Sequence, residues 1–203
     1  MSTAQEVPTP LGPARVLADG PEDGGGTLVL GGGAGGSVEA ADLAAVTAAA
    51  AGAGWRVLRV EQPWRVAGKR IAPAPARLDV AWAAVLDQLR AEGTLTGPLV
   101  LGGRSAGARV ACRTAAAQGA AGVLALAFPL HPPGRPDRSR AAELPADVPT
   151  LVVNGDRDPF GVPDAGGAVE VVVRPGATHD LRKDLAGTAD AVLVWLRRHG
   201  WAR

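Results

Sequence analysis

Three residue types that can move one proton between them recur along this chain in a fixed order. Ser105 stands in the run Gly103-Arg104-Ser105-Ala106-Gly107, two aspartates follow in "DRDPFG" as Asp156 and Asp158, and His179 follows in "GATHDL". A serine hydroxyl is a weak nucleophile until a base takes its proton, and an imidazole serves as that base best when a carboxylate fixes its tautomer and steadies its charged form. The chemistry such a set performs is acyl transfer through a covalent serine intermediate. Either aspartate could supply the carboxylate.

These side chains meet only if the chain brings three distant loops together, so the surrounding segments matter as much as the residues. "LVLGGRSAGARVA" runs an apolar strand into Gly-x-Ser-x-Gly and at once into a helix. A nucleophile on so sharp a turn crowds the backbone on both sides, which is why glycine belongs two positions before and after it. Short Val- and Leu-rich runs at 14–17, 27–30, 56–60, 99–101, 123–127, 150–153 and 169–173 predict strands, and segments 38–51, 78–92, 106–118 and 185–199 predict helices. Nearly unbroken apolar strands alternating with helices imply an α/β domain with a mostly parallel central sheet covered by helices on both faces. The serine, the aspartates and the histidine then each follow the carboxyl end of a strand, the edge at which open α/β sheets bind ligands.

A second glycine-rich turn, "TLVLGGGAGGSVEA", follows the strand at 27–30. Gly31, Gly33 and Gly36 fit the dinucleotide fingerprint G-x-G-x-x-G, with Glu61 beyond them where a ribose hydroxyl would be held. That reading leaves Ser105 and His179 without a role, and its strand should come first in the fold. As an oxyanion loop the same turn would offer a backbone N–H from Ala34 or Gly35 to pair with that of Ala106.

Bulk properties narrow the classes further. A chain of 203 residues with 47% apolar composition suits one domain, with residues 1–13 expected as a loose, Pro-containing lead and 14–203 as the folded unit. Net charge is +1 with dispersed basic residues, which argues against a nucleic-acid partner. A single cysteine, Cys112, excludes an internal disulfide and reads as a small core residue, and no cysteine–histidine spacing suits zinc. With no leader-like or membrane-spanning pattern, a cytoplasmic protein without metal or organic cofactor is expected. Arg104 either pairs with a carboxylate or shapes the site for substrate. His131, in "FPLHPPGRP", either binds substrate or fixes its own loop. Asp180 reads as a helix-entry residue and His199 as a cationic helix end. Arg65, Lys69 and Arg70 in one loop and Arg135, Arg138 and Arg140 in or beside another could together attract an anionic substrate.

In order, "LVLGGGAGG", "EQPWRVAGKRIAP", "LGGRSAGAR", "FPLHPPGRP", "NGDRDPFG" and "GATHDL" resemble the small lidless α/β hydrolases of the dienelactone-hydrolase-like type, especially the testis-expressed α/β-hydrolase-like group and its bacterial homologues. The resemblance spans nearly the whole chain. It implies an α/β-hydrolase fold without a lid domain, and its Gly-x-x-Asp pattern, met by Gly155 and Asp158, implies Asp158 as the acid. Relatives carry His-Gly where Gly32-Gly33 stands here. The expectation is a serine hydrolase acting on a small-molecule ester or similar acyl compound, with Ser105, Asp158 and His179 catalytic and Arg104, His131 and Arg65 at the substrate. The alternative is a non-catalytic binding or scaffold protein that keeps the fold.

Overall fold

Eight strands form one sheet in the order β1-β2-β4-β3-β5-β6-β7-β8. They are β1 (Thr3–Val7), β2 (Ala14–Asp19), β3 (Thr27–Gly31), β4 (Arg56–Glu61), β5 (Leu99–Arg104), β6 (Gly122–Leu126), β7 (Thr150–Gly155) and β8 (Val169–Arg174). The structure is a computed structural model that describes residues 3–35 and 37–201. From β4 onward across the sheet every pairing is parallel, and only β1 with β2 and β2 with β4 are antiparallel.

Helices α1 (Ala41–Gly52), α3 (Pro75–Ala91), α4 (Ala106–Thr114) and α5 (Leu185–Arg198) cover the sheet, and α2 (Pro63–Val66) is a single turn after β4. On α3 the buried residues are Leu78, Ala81, Trp82, Val85, Leu86 and Leu89, a 3.6-residue stripe that faces the sheet. This stripe packs with α4 residues Ala108, Val110 and Ala111 over Val29, Leu58 and Leu101. On the opposite face Leu43, Val46 and Ala50 of α1 meet Val192, Trp195 and Leu196 of α5 over Leu28, Leu30, Val100 and Leu124. Adjacent strand residues therefore belong to opposite cores. Strands β3, β6 and β7 are buried along their whole length, which is why their sequences show no polar alternation.

Residues 3–7 depart from the expectation of a loose lead. They pair with β2 in register Val7 with Ala14, and Val7 is fully buried. In this short edge strand, reading Thr-Ala-Gln-Glu-Val, Val7 is the one buried residue among those whose side chains are described, so hydrophobic pattern misses it. Among the described residues no helix is long and apolar enough to cross a membrane.

Candidate active site

Ser105 sits between β5 and α4 with φ 53° and ψ −109°, a conformation that non-glycine residues avoid. Close packing holds it there. A Cβ on Gly107 would lie 2.2 Å from the Gly31 carbonyl oxygen, and one on Gly103 would lie 2.5 Å from the same atom. The turn thus depends on both glycines of Gly-x-Ser-x-Gly letting β3 pass at backbone distance. Gly107→Ala is expected to lower stability by about 1–3 kcal/mol, seen as a thermal midpoint roughly 2–12 °C lower, with loss of any activity that depends on the turn. A midpoint equal to that of the parent protein would contradict this packing.

The base and the acid arrive from the last two inter-element loops. His179 Nε2 lies 3.0 Å from Ser105 Oγ, and His179 Nδ1 lies 2.8 Å from Asp158 Oδ2. The Asp158 side chain is fully buried against His179, whose own side chain is 20% exposed. Its other oxygen, Oδ1, accepts the backbone N–H of Phe160 at 2.9 Å, and the Phe160 ring lies 4.4 Å from the imidazole. Asp156 is exposed and turned elsewhere: its Oδ1 accepts the Gly176 N–H at 2.6 Å. Of the two aspartates, Asp158 is the one in contact with the imidazole.

Two features on which the arrangement depends left little trace in the sequence reading. Asn154, buried at the end of β7, accepts the Phe128 N–H on Oδ1 (2.8 Å) and donates from Nδ2 to the Phe128 and Gly161 carbonyls (3.0 Å each). It ties the end of β6 to the Asp158 loop. A lone amide in the apolar strand "TLVVNG" is the signal that could have found it. Asp42, in the first turn of α1, is 1% exposed, and burial raises its carboxyl above the usual range although the Arg104 guanidinium acts to lower it. Nothing but an acidic residue at a helix start marks it in sequence.

The Arg104 guanidinium is engaged by protein groups. Its Nε forms an ion pair with Asp42 Oδ2 at 2.8 Å, off the line of a hydrogen bond, and Nη2 donates to the His179 carbonyl at 2.9 Å. As the last residue of β5 it points to the α1 face while Ser105 turns to the open edge. His131 is likewise committed. Its Nδ1 lies 2.9 Å from the Pro132 carbonyl, its backbone N–H donates to the Phe160 carbonyl, and its ring occupies the space where a Gly161 side chain would be. It joins the Pro-rich loop to the Asp158 loop, the second of the two roles open to it from sequence.

Arg65 behaves differently. It lines a narrow slot with Gly31, Gly32, Gly33, Ala106 and Gly107, and its guanidinium stands 5.4 Å from the Trp64 ring. Its Nε is buried without a hydrogen-bond acceptor, and among the described residues no carboxylate pairs with it. By contrast Arg135 pairs with Asp137 (3.0 Å), and Arg140 donates to the Pro129 carbonyl (3.1 Å). In the glycine loop, a Cβ on Gly33 would stand 3.5 Å from that of Ser105, and Ala34 and Gly35 follow as an exposed turn. Gly36 falls outside the described residues. Asp180 turns back on Arg182 N–H and Thr178, so that Asp184, accepting from Gly187 N–H at 2.9 Å, caps α5 in its place. His199 caps the other end of α5 and stacks on Trp201. Cys112 is buried, and burial pushes its thiol up to about 12.

Comparison with known proteins bears on this arrangement through the fold. A solved α/β serine hydrolase without a lid from Xanthomonas campestris is similar over 97% of this chain and 94% of its own, at 24% identity and a TM-score of 0.78. A dienelactone hydrolase from Anabaena variabilis is similar over 98% and 97%, at 19% identity and a TM-score of 0.78. An alpha-beta serine hydrolase homologue from Coxiella burnetii gives 97% and 96%, 19% and 0.76. No curated protein matches the chain in sequence. The family model described as an alpha/beta hydrolase domain matches residues 25–186, and with most of its length covered this chain belongs to the alpha/beta hydrolase family.

Proposed function

We propose that the protein is a serine hydrolase that cleaves an ester or similar acyl bond, with Ser105 as nucleophile, His179 as general base and acid, and Asp158 as the residue that orients the imidazole. The observation that carries this reading is the unbroken line Asp158 Oδ2, His179 Nδ1, His179 Nε2, Ser105 Oγ, with steps of 2.8 and 3.0 Å, ending on a strained turn. Ser105 Oγ attacks the acyl carbonyl while its proton passes to Nε2, and the imidazolium then gives that proton to the departing alkoxide. Water repeats the sequence on the acyl-enzyme. The oxyanion of each tetrahedral intermediate is taken up by the Ala106 N–H, at the start of α4 where helix N–H groups have no internal acceptor, together with the N–H of Ala34 or Gly35.

Only residues 127–149 separate β6 from β7, and they hold a single short turn of helix, Ala141–Glu143. With so little chain over it the site is open, which suits small soluble esters or an acyl group exposed on a larger molecule. Labelling with a fluorophosphonate probe is the direct test, because the reagent modifies only a serine whose proton has somewhere to go. Absence of labelling would leave a binding protein on a hydrolase fold.

Arg65 gives this reading a charge preference. A cation with no ion-pair partner among the described residues, beside the glycine loop and Ala106, would hold a carboxylate of the substrate. An ester bearing a carboxylate is expected to show several-fold higher kcat/KM than its neutral analogue at low ionic strength, with the advantage shrinking as salt is added. Arg65→Ala is expected to raise KM for the charged ester about tenfold and leave the neutral one nearly unchanged. Equal rates for both esters at low salt would assign Arg65 to the stacking on Trp64 alone.

A further inference from the structure

The guanidinium of Arg104 lies where three loops of the site converge. It belongs to the residue next to the nucleophile, it donates to the backbone carbonyl of the base at 2.9 Å, and its Nη1 lies 3.2 Å from where a Cβ on Gly33 would stand. Its charge is held from behind by Asp42, whose Oδ1 also accepts the Leu43 N–H at 2.9 Å. The loop that carries His179 needs such a tie. Its backbone is tied to the Asp158 loop before the histidine, where the Ala177 carbonyl accepts the Arg157 N–H at 3.0 Å. The other backbone bonds around it are local, from Ala177 N–H to Arg174 O, from Leu181 N–H to Thr178 O and from Asp184 N–H to Leu181 O, and Leu181 takes a left-handed conformation with φ 54°. The Asp158 and Ser105 contacts hold the imidazole ring, whereas Arg104 holds the main chain beneath it.

We infer that Arg104, anchored by the buried Asp42, is a positioning residue that fixes the His179 backbone so that Nε2 stays within reach of Ser105 Oγ. The inference rests on the proposed roles of Ser105 and His179. A guanidinium suits the task because its planar fork sets Nε against the Asp42 carboxylate as an ion pair while Nη2 donates to the carbonyl, which a single ammonium cannot do in the same geometry. Burial adds to the constraint: a carboxylate 1% exposed keeps its one cation in place, since a charge left unpaired there is costly. Arg104 thus adds a tie at the His179 carbonyl itself, which fixes the distance from the base to the nucleophile.

The test uses the full chain, a neutral p-nitrophenyl ester and a fluorophosphonate probe, with thermal unfolding to confirm that each variant is folded at the assay temperature. Arg104→Lys keeps a positive charge opposite Asp42 but loses the fork. It is expected to lower kcat about 10- to 100-fold with KM within about threefold, and to slow probe labelling by the same factor, because a small misplacement of a base has effects of that size. Asp42→Asn, which leaves Arg104 in the chain but removes its anchor, should move kcat and labelling in the same direction. Arg182→Ala, a neighbouring charge in the same surface cleft, should leave both unchanged. Wild-type kcat and labelling in Arg104→Lys would overturn the inference, as would a raised KM at unchanged kcat, which would make Arg104 a substrate contact. A parent protein that takes no label at all would instead remove the proposed nucleophile and base, and the clamp with them. Labelling of the parent with an equal rate in Arg104→Lys removes only the clamp.

Discussion

Ser105→Ala is expected to abolish fluorophosphonate labelling and to lower ester turnover by a factor on the order of 10⁴ to 10⁶. The label forms its bond to Oγ, so no other change in the site can compensate for its loss. His179→Ala should do nearly as much, because Oγ then has no base within 3.0 Å. The two losses should not add in the double variant, since a nucleophile and its base act as one unit. Both variants should remain folded. Alanine occupies the strained backbone at 105 no less easily than serine, and the one side-chain hydrogen bond lost there, at a part-buried position, is worth about 0.5–1.5 kcal/mol. His179→Ala removes the contacts to both Ser105 and the buried Asp158 carboxylate and is expected to cost more, about 3–5 kcal/mol. Intact-protein mass spectrometry after labelling, with circular dichroism on the same samples, gives the answer. Label retained by Ser105→Ala would place the reactive hydroxyl elsewhere in the chain.

The second large effect separates two aspartates only two residues apart. Asp158→Asn is expected to reduce kcat/KM by about 10³- to 10⁴-fold. The substituted amide can still accept the Phe160 N–H on Oδ1, so the loop keeps its shape. Opposite Nδ1, however, it presents an N–H donor where Asp158 presents an acceptor. The imidazole then carries its proton on Nε2, the nitrogen facing Ser105, and has no lone pair there to receive a proton from Oγ. Asp156→Asn should change kcat/KM by no more than about threefold, because its amide oxygen can still accept the Gly176 N–H and its charge is exposed to water. Steady-state rates on one neutral ester rank the two. The reverse ranking would transfer the acid to Asp156 and require the His179 loop to adopt another arrangement in solution.

The residues whose placement is governed by local rules were legible in the sequence. The turn at Ser105 needs glycine on both sides for steric reasons, and the apolar strand before it and the helix after it are short-range patterns. Strand type, the parallel sheet and the order of serine, aspartate and histidine at its carboxyl edge follow from the alternation of elements, whereas the choice of Asp158 over Asp156 came only with the family resemblance. The buried strands also declared themselves, because a strand covered on both faces is apolar at every position. Edge strand β1 did not, since Val7 is its one buried residue among those whose side chains are described.

What the tertiary structure decided was the direction and partner of each charged side chain. Arg104, His131 and Arg65 were equal candidates for substrate contact by type and position. The fold gives Arg104 to Asp42 and to the His179 carbonyl, 62 and 75 residues away, gives His131 to the loop of Phe160 and Gly161, and sets Arg65 beside the glycine loop with no ion-pair partner among the described residues. Asn154 joins Phe128 across 26 residues in the same manner. Sequence carries backbone propensity and burial because these act over a few residues. The pairing of a guanidinium or an amide depends on which distant groups the packed sheet brings within 3 Å, and that distance exists only once the chain has folded.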